Sequence, residues 1–148
     1  MLGYLLGLRQ QRKIDTERRE ERKHELKDAL KDELAYVQRE VGDQPKTPSE
    51  VFGELAFNPV FLDLPTFASI VNSGQLLLLD VGLVRSLREL NKEINEHNIA
   101  QTTFLAVSAS ASQEKTSGRI ASVLKAILGR RESIIHQTEK LIQKLSEH

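Results

Sequence analysis

The sequence predicts an all-α protein: a helical bundle of three long helices plus two short helices, with a long N-terminal helix projecting as a stalk. Three observations carry this. From residue 8 to 41 there is no proline or glycine, and Glu, Lys, Arg, Leu and Ala dominate, all good helix formers. Two later stretches repeat their apolar residues at steps of four and three, the period of one helix face. The only strand-like run, residues 75–79 (QLLLL), is unbranched leucine with no alternation and no hairpin partner.

The first helix is expected to span about 34 residues, or about 50 Å, and to end at Gly42 as its C-terminal cap. Only its second half is amphipathic, through Leu26, Ala29, Leu30, Leu34, Val37 and Val41. Between residues 10 and 25 Ile14 is the one strong hydrophobe, so that half reads as a charged stalk. The chain accordingly divides into residues 1–25, an apolar stub and stalk, and residues 26–148, the bundle. Thr47-Pro48-Ser49-Glu50 is a capping box with proline at the first helical position, which predicts a short helix to Phe57. Asn58-Pro59 breaks it, and Asp63-Leu64-Pro65 opens another short helix that stops at Ser73-Gly74. Four of the five phenylalanines, Phe52, Phe57, Phe61 and Phe67, fall here and read as a plug for one end of the core.

Asp80 is placed to cap the next helix, whose seam is Leu83, Leu87, Leu90, Ile94, His97, Gln101 and Phe104. Residues 108–118 (SASASQEKTSG) are small and polar and read as a linker. The last helix, residues 119–146, repeats the pattern with Ile120, Leu124, Ile127, Arg131, Ile134, Thr138, Leu141 and Leu145, widened by Val123, Leu128, Ile135 and Ile142. So broad an apolar face must be covered on both sides. This helix should therefore lie between the other two or face a second subunit. Gly129 within it suggests a close approach or a slight bend.

Composition narrows the function. Lys plus Arg and Asp plus Glu balance at 21 each, so no net field draws the molecule onto nucleic acid or an anionic membrane. With no cysteine, disulfides and thiolate metal sites are excluded, and a cytoplasmic setting is expected. The opening residues MLGYLLGL are far short of the roughly 20 needed to cross a bilayer. They do run into Arg9, Arg12 and Lys13, as where a membrane helix emerges on its cytoplasmic side. A tether at the inner face of a membrane is one reading, and a helix start packing its leucines on the domain is the other.

No catalytic, metal or cofactor residue is assigned. Glu93 with His97 and Glu132 with His136 each share a helix face at four-residue spacing, but di-metal bundles place Glu and His three apart and add further inward carboxylates. No nucleophile elbow or glycine-rich phosphate loop is present. His97, on the apolar seam with Asn98, Asn91 and Gln101 nearby, reads as a polar group that sets register or partner choice. On the stalk, Arg19, Lys23, Lys27 and Lys31 form one stripe and Glu17, Glu21 and Glu25 another. Read as neighbouring stripes of opposite sign, they suggest self-association, stripe against opposite stripe; a solvated charged helix standing alone is the other reading.

Residues 64–98 (LPTFASIVNSGQLLLLDVGLVRSLRELNKEINEHN) resemble a pattern in uncharacterised prokaryotic proteins that carry a single membrane helix, a charged helix and a small helical domain. The resemblance implies a tethered cytoplasmic helical domain. The chain departs from it where the membrane helix would stand, with eight apolar residues in its place.

The expectation is a non-enzymatic helical interaction or scaffold module, membrane-proximal and self-associating or bound to another helical protein. Its contact residues would be Arg19, Glu21, Lys23 and Lys27 on the stalk and Leu124, Ile135 and Ile142 on the last helix, unless those apolar side chains are core. One alternative is a nucleic-acid-binding adaptor using the basic stripe. The interleaved acids and the missing base-reading positions weigh against it. Another is a small ligand-binding bundle around His97 and the phenylalanines.

Overall fold

The computed structural model describes residues 2–44, 59–109 and 116–147, with side chains for residues 10–44, 59–109 and 118–147. Among these residues the fold is all-helical, without strands. The helices are α1 (Leu2–Gly42), α2 (Pro65–Asn72), α3 (Val81–Ala109) and α4 (Thr116–Ser146), and a 3-10 turn at Gln75–Leu78 joins α2 to α3. The short helix expected over residues 47–57 lies outside the described residues.

Several boundaries differ from the sequence reading. Helix α1 begins at Leu2, six residues early, because Gly3 and Gly7 weaken a helix without removing a hydrogen-bond donor as proline does. Gly42 is its last residue rather than a left-handed cap, and among the described glycines only Gly74 has positive φ, at 72°. The end of α1 tightens instead: the Asp43 N–H donates to the Arg39 carbonyl at 3.0 Å and the Gln44 N–H to that of Val41 at 3.3 Å. Helices α3 and α4 each run into the expected linker, to Ala109 and from Thr116. Asp80 caps α3 as its position suggests, its Oδ1 accepting from the N–H groups of Gly82 at 2.8 Å and Leu83 at 3.2 Å.

Helix α4 lies between α3 and α1 and packs along both. Lys144 reaches Ser86 and Arg130 reaches Glu93 across one side, while Gln38 reaches Glu139 across the other. The first two pairings make α4 antiparallel to α3, and Gln38 beside Glu139 with Val41 and Gln44 lining a cleft with Leu128 and Arg131 makes it antiparallel to α1, so α1 and α3 run parallel to one another. The core is the set of seams read from the sequence. Leu30, Leu34 and Val37 of α1, Leu87, Leu90 and Ile94 of α3, and Leu124, Ile127, Ile134, Leu141 and Leu145 of α4 are all buried. A second, smaller cluster joins Phe104 to Leu124, Ile127 and Leu128 between α3 and α4.

Helix α2 contributes Phe67 and Ile70 to the main core. Its first turn has no cap from its own chain neighbour, since Leu64 offers no side-chain oxygen. Glu33 of α1 supplies one from a distance, its carboxylate accepting from the N–H groups of Thr66 and Phe67. Burial raises the Glu33 pKa above the ordinary carboxylate value, and the hydrogen bonds from Thr66 and Phe67 oppose that rise. The phenylalanine plug is only partly formed among the described residues: Phe67 is buried, but Phe61 is 54% exposed. The chain at residues 60–62 is held by Asn98 and Gln101, as described next, which turns the Phe61 side chain outward. Phe52 and Phe57 lie outside the described residues. No close approach is found at Gly129, where a Cβ would meet nothing within 4 Å.

Candidate functional site

The expected contact residues fall into two places. Arg19 and Glu21 are exposed and Lys23 and Lys27 half-buried on α1. Leu124 is sealed in the core at 0% exposure, so it presents no surface, while Ile135 and Ile142 are half-buried and pack against the main core. The structure thus sends Leu124 to the interior and leaves the α1 residues as the accessible set.

On α1 every side chain from residue 10 to 22 is exposed, and the first buried one is Leu26. Consecutive residues of a helix are about 100° apart around its axis, so Arg19 and Glu21 lie about 200° apart. The basic and acidic stripes are therefore on nearly opposite faces, not side by side, and one straight partner helix cannot meet both. Arg12, Arg19 and Lys23 continue the line of Leu26 and Leu30, so the core-facing seam turns cationic ahead of its first buried residue. Glu17, Glu21, Glu25, Asp28 and Asp32, with Ile14 at 47% exposure, occupy the outward face. Intrahelical pairs such as Lys23 with Glu20 at 3.6 Å and Arg22 with Glu25 at 3.4 Å are exposed and each worth less than about 1 kcal/mol.

The polar part of the seam is a set of amide clamps. Asn98 donates from Nδ2 to the Leu62 carbonyl at 2.7 Å and accepts at Oδ1 from the Leu62 N–H at 3.0 Å, holding the extended chain as a neighbouring strand would. Gln101 Nε2 donates to the Val60 carbonyl at 2.6 Å and lies 2.6 Å from His97 Nε2. A carbonyl only accepts, so the nitrogen end of the Gln101 amide must face Val60, and its second hydrogen then points to His97. His97 Nε2 is therefore the acceptor and the imidazole is neutral. Its Nδ1 has no hydrogen-bond partner among the described residues. Burial, then the charges of Arg131 and Arg130, push the His97 pKa down to about 4. Glu93 and His97 do not pair: Glu93 turns to Arg130 at 3.2 Å, and His97 turns to Gln101.

This chemistry holds a chain in place. Among the described residues no group of three or more His, Cys, Asp or Glu could hold a metal ion, and none of their helices is long and apolar enough to cross a membrane. A cleft of about 290 Å³ between the end of α1 and α4 is lined by Val41, Arg131, Ile135 and His136 among others. His97, at 1% exposure, is not on its wall. Gln101 lies on the seam and Asn98 beside it in the sequence, but Leu62 and Val60 as their targets, and Glu33 as a cap for α2, have no local signal.

No family model matches the chain, and neither a curated protein nor a solved structure is significantly similar to it. The resemblance in residues 64–98 rests on those residues alone.

Proposed function

We propose that the protein is a non-enzymatic helical interaction module, in which the bundle is a rigid base and residues 10–25 of α1 are an arm that binds another helical chain. One observation carries the reading: a helix unbroken from Leu2 to Gly42 exposes every side chain from residue 10 to 22. Residues 10–22 gain no burial of their own, most helical stability in proteins comes from packing, and like charges four apart weaken the helix there. Two faces of opposite sign fit it for a charged helical partner. The apolar residues 1–8 followed by Arg9, Arg12 and Lys13 support placement at the cytoplasmic face of a membrane, with the arm as spacer.

The test is the mass in solution of the full chain and of a form lacking residues 1–25, by light scattering in low and high salt. An oligomer that becomes a monomer on truncation is the expected result. Equal masses for the two forms would remove the arm as an assembly element. Binding of the full chain to anionic vesicles, compared with the truncated form, tests the membrane placement separately.

A further inference from the structure

The outward face of α3 is built on the same plan as the outward face of the arm, with the charge inverted. Val81 and Ile99 are 77% and 65% exposed. Between them Arg85, Arg88 and Lys92, all exposed, form one cationic row. Val81, Val84, Arg85, Arg88, Glu89 and Lys92 line a shallow groove of about 420 Å³ there. On the arm, Ile14 is followed along one face by Glu21, Glu25 and Asp28, all exposed.

The spacings coincide. From Ile14 the steps to Glu21, Glu25 and Asp28 are seven, four and three residues. Going back from Ile99, the steps to Lys92, Arg88 and Arg85 are also seven, four and three. Laid antiparallel, the two faces set Ile14 on Ile99, Glu21 on Lys92, Glu25 on Arg88 and Asp28 on Arg85. The same register carries Ala29 to Val84 and Asp32 to Val81. It makes one like-charge meeting, Glu17 with Glu96, and there Arg130 and Lys92 already bind Glu96. Because α4 lies between α1 and α3, their outward faces turn away from one another, so the antiparallel contact is head to tail: each copy lays its arm on one neighbour and offers its α3 face to another.

We propose that the partner of the arm is a second copy of this chain, the acidic outward face of α1 lying on the cationic outward face of α3 in a head-to-tail contact between copies. This rests on the reading of the arm as an interaction element and commits it to one surface. The contact is charge-dominated, so it weakens as salt shortens the screening length.

The experiment uses two full-length variants with surface-only changes. In one, Arg88→Glu and Lys92→Glu make the α3 face acidic. In the other, Glu21→Lys and Glu25→Arg make the arm basic. Helical circular dichroism matching the unaltered chain establishes that each is folded, and sedimentation gives the masses. The unaltered chain is expected to associate beyond the monomer at low salt, that association weakening at least about tenfold in high salt. Each variant alone sets like charges together at the contact and is expected to associate at least about tenfold more weakly, several exposed ion pairs being inverted. Mixed, the two restore opposite charges wherever unlike variants meet, and the mixed assembly is expected to form within a few-fold of the original affinity. If the variants associate as the unaltered chain does, or if mixing restores nothing, the α3 surface is wrong while an assembling arm survives. A chain that is monomeric at every salt and concentration overturns self-association itself and leaves the arm only a partner of another kind.

Discussion

His97 shows how a single residue can be fixed by its neighbours. The backbone carbonyl of Val60 orients the Gln101 amide, and that amide leaves the imidazole only the role of acceptor. The ring is neutral in the folded protein, with its pKa pushed down to about 4 from the ordinary 6.5. Between those values the unfolded chain binds a proton that the folded one does not. The stability contributed by the neutral ring is complete above pH 6.5, falls as the pH drops toward 4, and changes no further below that. Its full size is about 3 kcal/mol. Urea unfolding across this range, compared with a His97→Leu variant, should show a steeper acid loss in the unaltered protein. Parallel pH profiles for the two would mean that His97 takes up its proton as easily folded as unfolded. That His97 and Gln101 belong to a buried seam was legible from their spacing. The clamp they serve was not, because Val60 and Asn98's partner Leu62 are more than thirty residues away in sequence.

At the level of the elements, local rules hold within a helix and lose force at its ends. The apolar steps of α3 and α4 mark their buried residues one by one, and Asp80 caps where an aspartate before a helix should. Gly42 and Gly129, by contrast, are ordinary helical residues to which sequence rules gave special roles. At Gly129 a Cβ would enter open space, so Gly129→Ala should stabilise the protein by about 0.5–1 kcal/mol through the unfolded chain and helix propensity. Thermal melts read the gain directly, and a loss would reveal a neighbour that needs the missing methyl. Helix α2 illustrates the opposite case. It lacks a cap of its own and relies on Glu33 from α1, so its start depends on the assembled bundle.

Over the whole molecule, α4 organises the fold by packing on both other long helices, and α1 buries no side chain between residues 10 and 22. One helix thus has two regimes: residues 26–41 anchored through Leu30, Leu34 and Val37, and residues 10–22 held by backbone hydrogen bonds, weak exposed ion pairs and the Thr16 hydroxyl donating to the Arg12 carbonyl. Amide hydrogen exchange should separate them. Backbone protection in high salt is expected to be high over residues 26–41 and low over 10–22. Protection of residues 14–28 should rise in low salt if the arm is covered there by a second copy. Uniform protection along α1 in all salts would mean the arm is packed on its own bundle.

The sequence by itself determined the class and the seams: helix formers without breakers, apolar residues at helical spacing, and a helix whose first half carries almost nothing to bury. Those features are local or periodic, and a helix satisfies its backbone from within, so nearby residues suffice to specify it. Only the tertiary structure decided that α4 is the middle helix, that Leu124 is interior, that Glu33 caps α2 and that Asn98 and Gln101 clamp residues 60–62. These depend on which faces meet across long separations, where packing and burial of the whole chain, not the propensity of any segment, set the outcome.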